Sequence, residues 1–323
     1  MTNPRSQAIA LQARWSLAEY RDAGAFARFV ERLMELAERQ RAPDVPCLVA
    51  FPEFIGLPLL FLDAPELSGC TNWREAVALL TARYALAAGE LMNRFGVGPM
   101  RALLLALAER NRDIYCSTFA AAAKAHDCYL VAGSIALPDP PGVGPEDAKV
   151  FNVAHFFGPD GSLLGTQKKR FPYGLQGMAE GLDISPAPAG AERAFSTPFG
   201  KVGIAVCFDA FQEEVMGALA AAGAEIVVQP TANAHPWDPW QAGDWERGLL
   251  EGVRRHSIIR YGVNPMMVGS IFSPADEYTC QGRSSIIAKA EANAGSAVYL
   301  ARASERHWGE YGQEEAIWAL LKE

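Results

Sequence analysis

Two uninterrupted apolar runs constrain the fold of this 323-residue chain more than any other feature. Cys47–Phe51 and Val202–Val206 are continuously apolar, whereas a strand with one solvent-exposed face would alternate apolar and polar residues. Continuous runs are typical of strands that helices cover on one face and a second sheet covers on the other. The sequence therefore predicts strands buried on both faces of an α/β fold.

Helical patterns alternate with the strand-like runs. Phe26, Phe29, Val30 and Leu33 fall on one helical face after Asp22, a candidate cap. Phe151–Phe157 leads through a Gly-Pro-Asp-Gly turn into a short partner strand, which predicts a β-hairpin. The sequence thus predicts a mixed α/β sheet. The other runs with strand character are Ala8–Leu11, Tyr129–Ile135, Ile226–Gln229, Met266–Ile271, Ser284–Ala288 and Ala297–Leu300.

One region breaks this rhythm. Residues from about 57 to 112 carry two helical patterns, around Trp73–Asn93 and Pro99–Arg110. They form either a lid over the functional site or additional packing with no role there. We predict one domain over residues 1–323, with a helical insertion at about 57–112 and a C-terminal tail at about 304–323. The tail ends in an amphipathic pattern at Ala316–Leu321 that could reach across a dimer interface.

Composition and charge indicate which classes of partner the protein binds and in which cellular compartment it acts. Half of the residues are hydrophobic and a fifth are charged, which provides enough apolar material for a large core. A net charge of -8 argues against binding of nucleic acid or anionic lipid, so small molecules are the expected partners. The six cysteines form no CxxC pair, and neither a signal peptide nor an apolar stretch of about 18 residues is present. We expect a soluble, cytoplasmic protein.

Cys207 ends the apolar run Val202–Val206 and precedes a helix-compatible segment near Phe211. At such a strand-to-helix turn, backbone N–H groups and a helix N-terminus can activate a thiol for nucleophilic attack. The alternative is that Cys207 is a small buried hydrophobic residue. This segment alone does not decide between the two interpretations.

Two further segments place ionisable groups at strand ends. Glu53 follows Cys47–Phe51, where partial desolvation suits a general base, although it could instead cap a helix or pair with an arginine. Lys168, Lys169 and Arg170 follow the hairpin, where a charge run is often a solvated turn. Together with Cys207, these segments could supply a nucleophile, a base and a cation.

Read in order, the three segments resemble the nitrilase superfamily of carbon–nitrogen hydrolases. The family's glutamate, lysine and cysteine motifs correspond here to Phe51-Pro52-Glu53, to Gly165-Thr166-Gln167-Lys168-Lys169 and to Gly203-Ile204-Ala205-Val206-Cys207-Phe208-Asp209. The resemblance implies a four-layer α-β-β-α sandwich with a helical insertion. It also implies a homodimer or a higher homo-oligomer.

The resemblance further implies a catalytic role for each of the three residues. Cys207 would attack a small amide, Glu53 would act as the base, and Lys169 would stabilise the oxyanion, with no metal or cofactor. Lys168 is the alternative lysine, but the motif register favours Lys169. Glu180 is the candidate for the family's second glutamate, or else a surface loop charge.

Departures from the family pattern bear on the substrate. Phe171 stands where many relatives have histidine, and Asp209 after the nucleophile is more typical of amidases or carbamoylases than of nitrilases. Phe54, Phe208 and Trp237 are candidate substrate-binding residues; Trp237 belongs to an aromatic cluster that could equally be core or a subunit contact.

Two other functions remain open at this stage. One keeps the fold and changes the reaction, as in a nitrilase that converts a nitrile to an acid and ammonia, an acyltransferase, or a glutaminase subunit. The other is a non-catalytic binding protein on the same fold. The presence of all three chemical residues favours an enzyme that cleaves the non-peptide C–N bond of an amide or carbamoyl amide.

Overall fold

The computed structural model describes residues 4–139, 148–177, 181–272, 278–290, 295–304 and 312–322. Strands are β1 Pro4–Arg14, β2 Cys47–Ala50, β3 Tyr129–Leu137, β4 Phe151–Phe157, β5 Leu163–Lys168, β6 Ala194–Thr197, β7 Gly200–Ile204, β8 Ile226–Val228, β9 Tyr261–Asn264, β10 Met267–Val268, β11 Ser285–Lys289, β12 Ala297–Arg302 and β13 Glu315–Lys322. Helices are α1 Ala23–Glu38, α2 Trp73–Arg83, α3 Ala85–Phe95, α4 Pro99–Ala106, α5 Ala108–Ala125, α6 Glu213–Ala221, α7 Pro239–Trp245 and α8 Leu249–Arg255.

The strands form two mixed sheets. The first has the order β10-β1-β2-β3-β4-β5, with β13 also paired to β1, and the second has the order β12-β11-β9-β8-β7-β6. In each sheet three central strands are parallel: β1, β2 and β3 in the first, and β7, β8 and β9 in the second. The predicted hairpin is present as antiparallel β4 and β5.

Burial on both faces explains the uninterrupted apolar runs. Along β2, Leu48 and Ala50 face a core between the two sheets, whereas Val49 packs on the opposite side with α1 and α5. Along β7 and its continuation, Ile204 joins the same inter-sheet core, whereas Ala205 packs with α6 and α8. Successive strand residues point to opposite faces, so each strand must be apolar at every position. The predicted four-layer α-β-β-α sandwich is confirmed.

Local signals set the ends of the helices that were predicted from periodicity. Asp22 caps α1, since its Oδ1 accepts a hydrogen bond of 2.7 Å from the N–H of Ala25. After Cys207 the chain first forms a 3-10 helix, Cys207–Phe211, and α6 begins two residues later. Among the helices of the described ranges, none combines the length and the apolar character that a membrane crossing requires.

The region predicted as a helical insertion contains more helices than its pattern indicated, and the last of them continues to Ala125. The pattern around Trp73–Asn93 is two helices, α2 and α3, which meet at Tyr84, and the second pattern divides at Leu107 into α4 and α5. Trp73, Leu80 and Leu103 are buried in the core on the outer face of the first sheet. Hydrophobic periodicity does not register the breaks because both helices of each pair present apolar residues to the same core.

The C-terminal segment, predicted from the sequence as a tail, forms a strand of the first sheet. β13 pairs antiparallel with β1 from Glu315 to Lys322. Ile317, Ala319 and Leu321 are buried in the inter-sheet core, and they alternate with Trp318 and Leu320, which are exposed. This period of two is the strand signature, and the strand satisfies hydrogen-bonding groups of β1 that would otherwise be unpaired.

Gly133 lets β3 approach the segment that carries Glu53. It has φ +68°, and a Cβ there would lie 2.0 Å from the carbonyl oxygen of Pro52. We expect Gly133→Ala to lower the free energy of unfolding by more than the roughly 1–2 kcal/mol that a left-handed alanine costs by itself. Gly96→Ala is the matched control, because Gly96 has φ +65° and a Cβ there meets nothing within 4 Å. Urea unfolding measures both, and equal losses would contradict the close-approach argument.

Candidate active site

Glu53 is fully buried where the chain leaves β2. Its Oε1 accepts hydrogen bonds from Lys169 Nζ at 2.8 Å and from Asn152 Nδ2 at 2.7 Å. Its Oε2 accepts one from the backbone N–H of Ala232 at 3.0 Å. A buried carboxylate requires such donors, and three separate segments of the chain provide them.

Lys169 follows β5 directly and is also fully buried. Its N–H donates to the carbonyl of Asn152 at 2.8 Å, and its ammonium donates to Gln176 Oε1 at 2.8 Å besides Glu53. Burial disfavours the charged ammonium, but nearby acidic groups, with Glu53 first among them, outweigh it and raise the pKa of Lys169. The side chain is therefore a fixed cation at neutral pH.

Cys207 lies beyond the end of β7, 7% exposed, with φ +52°. Its N–H donates to the carbonyl of Pro230 at 2.9 Å, and its carbonyl accepts from Gln229 Nε2 at 2.9 Å. These two bonds hold a left-handed backbone that costs a non-glycine residue about 1–2 kcal/mol. The thiol lies close enough to Glu53 for the carboxylate to raise its pKa.

The surroundings of Cys207 keep the thiol protonated. Burial raises its pKa, the negative charge of Glu53 raises it further, and the Lys169 ammonium only partly offsets these effects. A thiol in this state needs a base to accept its proton during nucleophilic attack, and Glu53 is the carboxylate that acts on it most strongly.

Asp209 connects the cysteine segment to the lysine segment. It is 1% exposed, and its two carboxylate oxygens accept hydrogen bonds from the backbone N–H of Arg170 at 3.0 Å and of Phe171 at 2.8 Å. Burial raises the pKa of Asp209 to about 6, although the Lys169 ammonium and the two N–H groups lower it. Asp209, two positions after Cys207, thus holds the backbone immediately after Lys169.

The assembled groups can perform acid–base and nucleophilic chemistry on a polar double or triple bond. One buried carboxylate is hydrogen-bonded to an ammonium and lies close to a buried thiol. Within the described ranges, no group of three or more histidine, cysteine, aspartate or glutamate residues is placed to hold a metal ion.

The family model described as carbon-nitrogen hydrolase matches residues 10–288. This chain belongs to the carbon–nitrogen hydrolase family. Among curated relatives, it is 34% identical over 132 residues to the omega-amidase NIT2 of Danio rerio, a stretch that covers 38% of this chain and 44% of the relative. It is 35% identical over 106 residues to a citrullinase of Francisella tularensis, which covers 32% and 36% respectively. The chain therefore spans less than half the length of these two relatives.

Solved structures of family members share the fold. The carbon–nitrogen hydrolase from Helicobacter pylori G27 superposes with a TM-score of 0.63 at 21% identity, covering 97% of this chain and 88% of the other. A mutant amidase from Nesterenkonia sp. AN1, described as showing the result of Michael addition of acrylamide at the active-site cysteine, superposes with a TM-score of 0.60 at 16% identity. That match covers 97% of this chain and 92% of the amidase.

The candidate residues of this family member do not all lie at one place. Glu53, Lys169 and Cys207 meet, whereas Glu180 lies outside the described residues. Phe54 is 4% exposed in the core on the outer face of the first sheet. Phe208 and Trp237 are partly exposed, on segments that adjoin the three residues. Lys168, the alternative lysine, pairs with Asp139 instead.

Sequence reasoning missed several groups that position this site. Asn152 binds Glu53 through its side chain and Lys169 through its carbonyl. Gln176 contacts both members of the ion pair, since its Nε2 also donates to Glu53 at 3.4 Å. Ala232 contributes only a backbone N–H. The run Phe151–Phe157, which contains Asn152, was predicted as a strand, but no pattern in the sequence reveals a backbone donor or the direction of an amide side chain.

The protonated state of Cys207 predicts its pH profile of alkylation. Because its pKa is raised, the rate of iodoacetamide labelling should still be increasing at about pH 9, by up to tenfold per pH unit, instead of levelling off near neutral pH. Glu53→Gln removes the charge that raises this pKa, so its profile should move to lower pH. Mass spectrometry of the peptide containing Cys207 gives the rates. A plateau below about pH 7 in the parent protein would be incompatible with a buried, protonated thiol.

The backbone clamp at Asp209 predicts a stability loss. Asp209→Asn replaces one acceptor with an NH2 group that opposes a buried N–H, and we expect the free energy of unfolding to fall by about 1–3 kcal/mol. Asp160→Asn is the control, because Asp160 accepts a similar bond from the N–H of Ser162 in an exposed turn and should change stability little. Chemical denaturation compares the two. Similar small losses would show that Asp209 does not hold the lysine segment.

Proposed function

We propose that this chain is an amidase that hydrolyses a small amide to an acid and ammonia through a thioester on Cys207. One observation supports this more than any other: Glu53 is hydrogen-bonded to the Lys169 ammonium and acts electrostatically on the Cys207 thiol, and all three side chains are buried. The family membership and the amidases among the relatives support cleavage of an amide C–N bond.

In the first half of the reaction, Glu53 accepts the proton of Cys207 while sulfur forms a bond to the carbonyl carbon. The carbonyl oxygen becomes an oxyanion, which Lys169 and a backbone N–H near Phe208 stabilise. Of the three N–H donors of Lys169, Glu53 and Gln176 engage two within the described residues, which leaves one for the oxyanion. Protonated Glu53 then gives its proton to the nitrogen, the C–N bond breaks, and ammonia leaves.

In the second half, water attacks the thioester carbon. Glu53, now ionised again, accepts a proton from the water, and the same oxyanion donors stabilise the second tetrahedral intermediate. The C–S bond then breaks, the proton returns to Cys207, and the carboxylic acid is released. Glu53 therefore works as base and as acid in turn, which is why its position beside the thiol is essential to the proposal.

The domain organisation, the compartment and the oligomeric state are also proposals. We propose a single domain over residues 1–323, which acts in the cytoplasm as a homo-oligomer. The six cysteines are all free thiols, which suits a reducing compartment. The helical insertion packs into the core of the first sheet, and α4 also contacts the segment after Gln176, where Arg101 Nη2 donates to Asp183 Oδ1 at 2.7 Å.

The proposal predicts cysteine-dependent ammonia release. A panel of small amides, carbamoyl amino acids and nitriles should contain an amide from which the parent protein releases ammonia, and Cys207→Ala should abolish that release. Cys70→Ala is the control, because Cys70 is a partly buried free thiol outside the site. Lys169→Met should lower kcat on the order of 100- to 1000-fold, as loss of an oxyanion donor does.

Two results would count against the proposal. Ammonia release that survives in Cys207→Ala would remove the thioester, and activity confined to nitriles would change the reaction class. The thioester itself can be detected by mass spectrometry of quenched reactions. The mass of the protein should rise by that of the acyl group, and digestion should locate the added mass on the peptide containing Cys207.

A further inference from the structure

A continuous surface of aromatic rings adjoins the three proposed catalytic residues; we call it the aromatic wall. It consists of Tyr173, Phe208, Phe211, Trp245 and Trp237. Successive ring centroids lie 4.6 Å, 5.8 Å, 5.2 Å and 5.6 Å apart in that order. Such spacings are those of favourable aromatic contacts, so the rings support one another as a unit.

The aromatic wall joins the segments that carry the site. Phe208 follows Cys207 directly, and Tyr173 lies four residues after Lys169. Trp237 lies five residues after Ala232, whose N–H binds Glu53. Because these segments leave the site from Cys207, Lys169 and Ala232, their rings are the aromatic side chains that an acyl group on Cys207 would meet as it extends from the site.

These rings are not part of the hydrophobic interior. Tyr173 is 47% exposed, and Phe208, Phe211 and Trp237 are partly exposed and belong to none of the three core clusters. Trp245 alone packs against the inter-sheet core and anchors the row. A contiguous exposed apolar surface that borders a reactive group is typical of a ligand-binding site.

Charges near the aromatic wall do not favour a carboxylate on the substrate. In segments 168–177, 207–212 and 229–247, every described lysine and arginine is paired with an acidic side chain. The pairs are Lys168 with Asp139, Lys169 with Glu53, Arg170 with Glu192 and Glu214, and Arg247 with Asp244. A second carboxylate on the acyl chain would therefore find no unpaired lysine or arginine in these segments, and its desolvation would be uncompensated.

We propose that the substrate is an amide of an aryl or arylalkyl carboxylic acid, whose ring packs on the aromatic wall. This inference rests on the amidase function proposed above. One methylene that gains or loses its place in an apolar pocket changes substrate preference by about 10- to 200-fold, so a ring that packs on the wall should change it by at least about tenfold. The wall thereby distinguishes an aromatic acyl group from a short aliphatic one and from the monoamide of a dicarboxylic acid.

The test compares kcat/KM for ammonia release from phenylacetamide, propionamide and succinamate. The parent protein should prefer phenylacetamide by at least about tenfold over either of the others. Tyr173→Ala and Trp237→Ala should each reduce that preference several-fold, mainly through KM, and Tyr173→Phe should retain it because the ring is kept. Trp240→Ala is the matched control: Trp240 is 71% exposed, lies outside the wall, and should leave the preference unchanged.

A second measurement separates this inference from the hydrolysis on which it rests. Phenylacetate should protect Cys207 from alkylation by iodoacetamide at lower concentration than propionate or succinate does, and this readout needs no turnover. Protection by phenylacetate without any ammonia release would refute the amidase proposal and retain the ligand class.

Other results would overturn the inference. A kcat/KM for succinamate that equals or exceeds that for phenylacetamide would mean that the wall does not bind the acyl group. The same conclusion would follow if the Tyr173 and Trp237 variants lowered kcat/KM for all three substrates equally. If those variants dissociated an oligomer, as judged by size-exclusion chromatography, and left the preference intact, the wall would be a contact between copies of this chain.

Discussion

The site depends on one interaction, the fully buried ion pair between Lys169 and Glu53. Removal of two charged groups from water costs several kcal/mol per ion, and the attraction between them offsets that cost only when their remaining hydrogen-bonding groups are also satisfied. Here Asn152, Gln176 and the N–H of Ala232 supply these bonds. A pair held in this way cannot relax when a substrate enters, and such preorganisation is what an oxyanion-stabilising site requires.

The two-sheet architecture explains how such distant segments meet. β2 of the first sheet lies between two parallel strands, and β7 of the second has one parallel neighbour, β8. The segments that follow β2 and β7 carry Glu53 and Cys207, which lie close together. The loop after β8 reaches across to Glu53, and Asp209 reaches back to the backbone after Lys169. The inter-sheet core between these strands therefore sets the separation of the proposed base and nucleophile, so packing defects there would be transmitted to the chemistry.

The same arrangement hides the charged groups of the site and leaves aromatic rings at its surface. The charged groups are buried and paired, whereas the partly exposed border is aromatic. The proposed catalytic groups and the proposed substrate contacts are therefore different residues of the same segments: Lys169 and Tyr173 in one, Cys207 and Phe208 in another. This separation permits the border to change without disturbance of the ion pair, in the way that pocket contacts adjust preference on a common catalytic framework.

Much of the fold followed from the sequence because strand burial on two faces leaves a continuous apolar pattern, and the hairpin and the Asp22 cap have local signatures. Family motifs singled out Glu53, Lys169 and Cys207. The breaks at Tyr84 and Leu107 and the pairing of β13 with β1 were not predicted, because they depend on which core or strand the segment meets. The sequence by itself determined the layered α/β class and the three chemical groups. Only the tertiary structure decided that Asn152, Gln176, Asp209 and a backbone N–H hold those groups in place, since contacts between residues distant in sequence leave no local pattern.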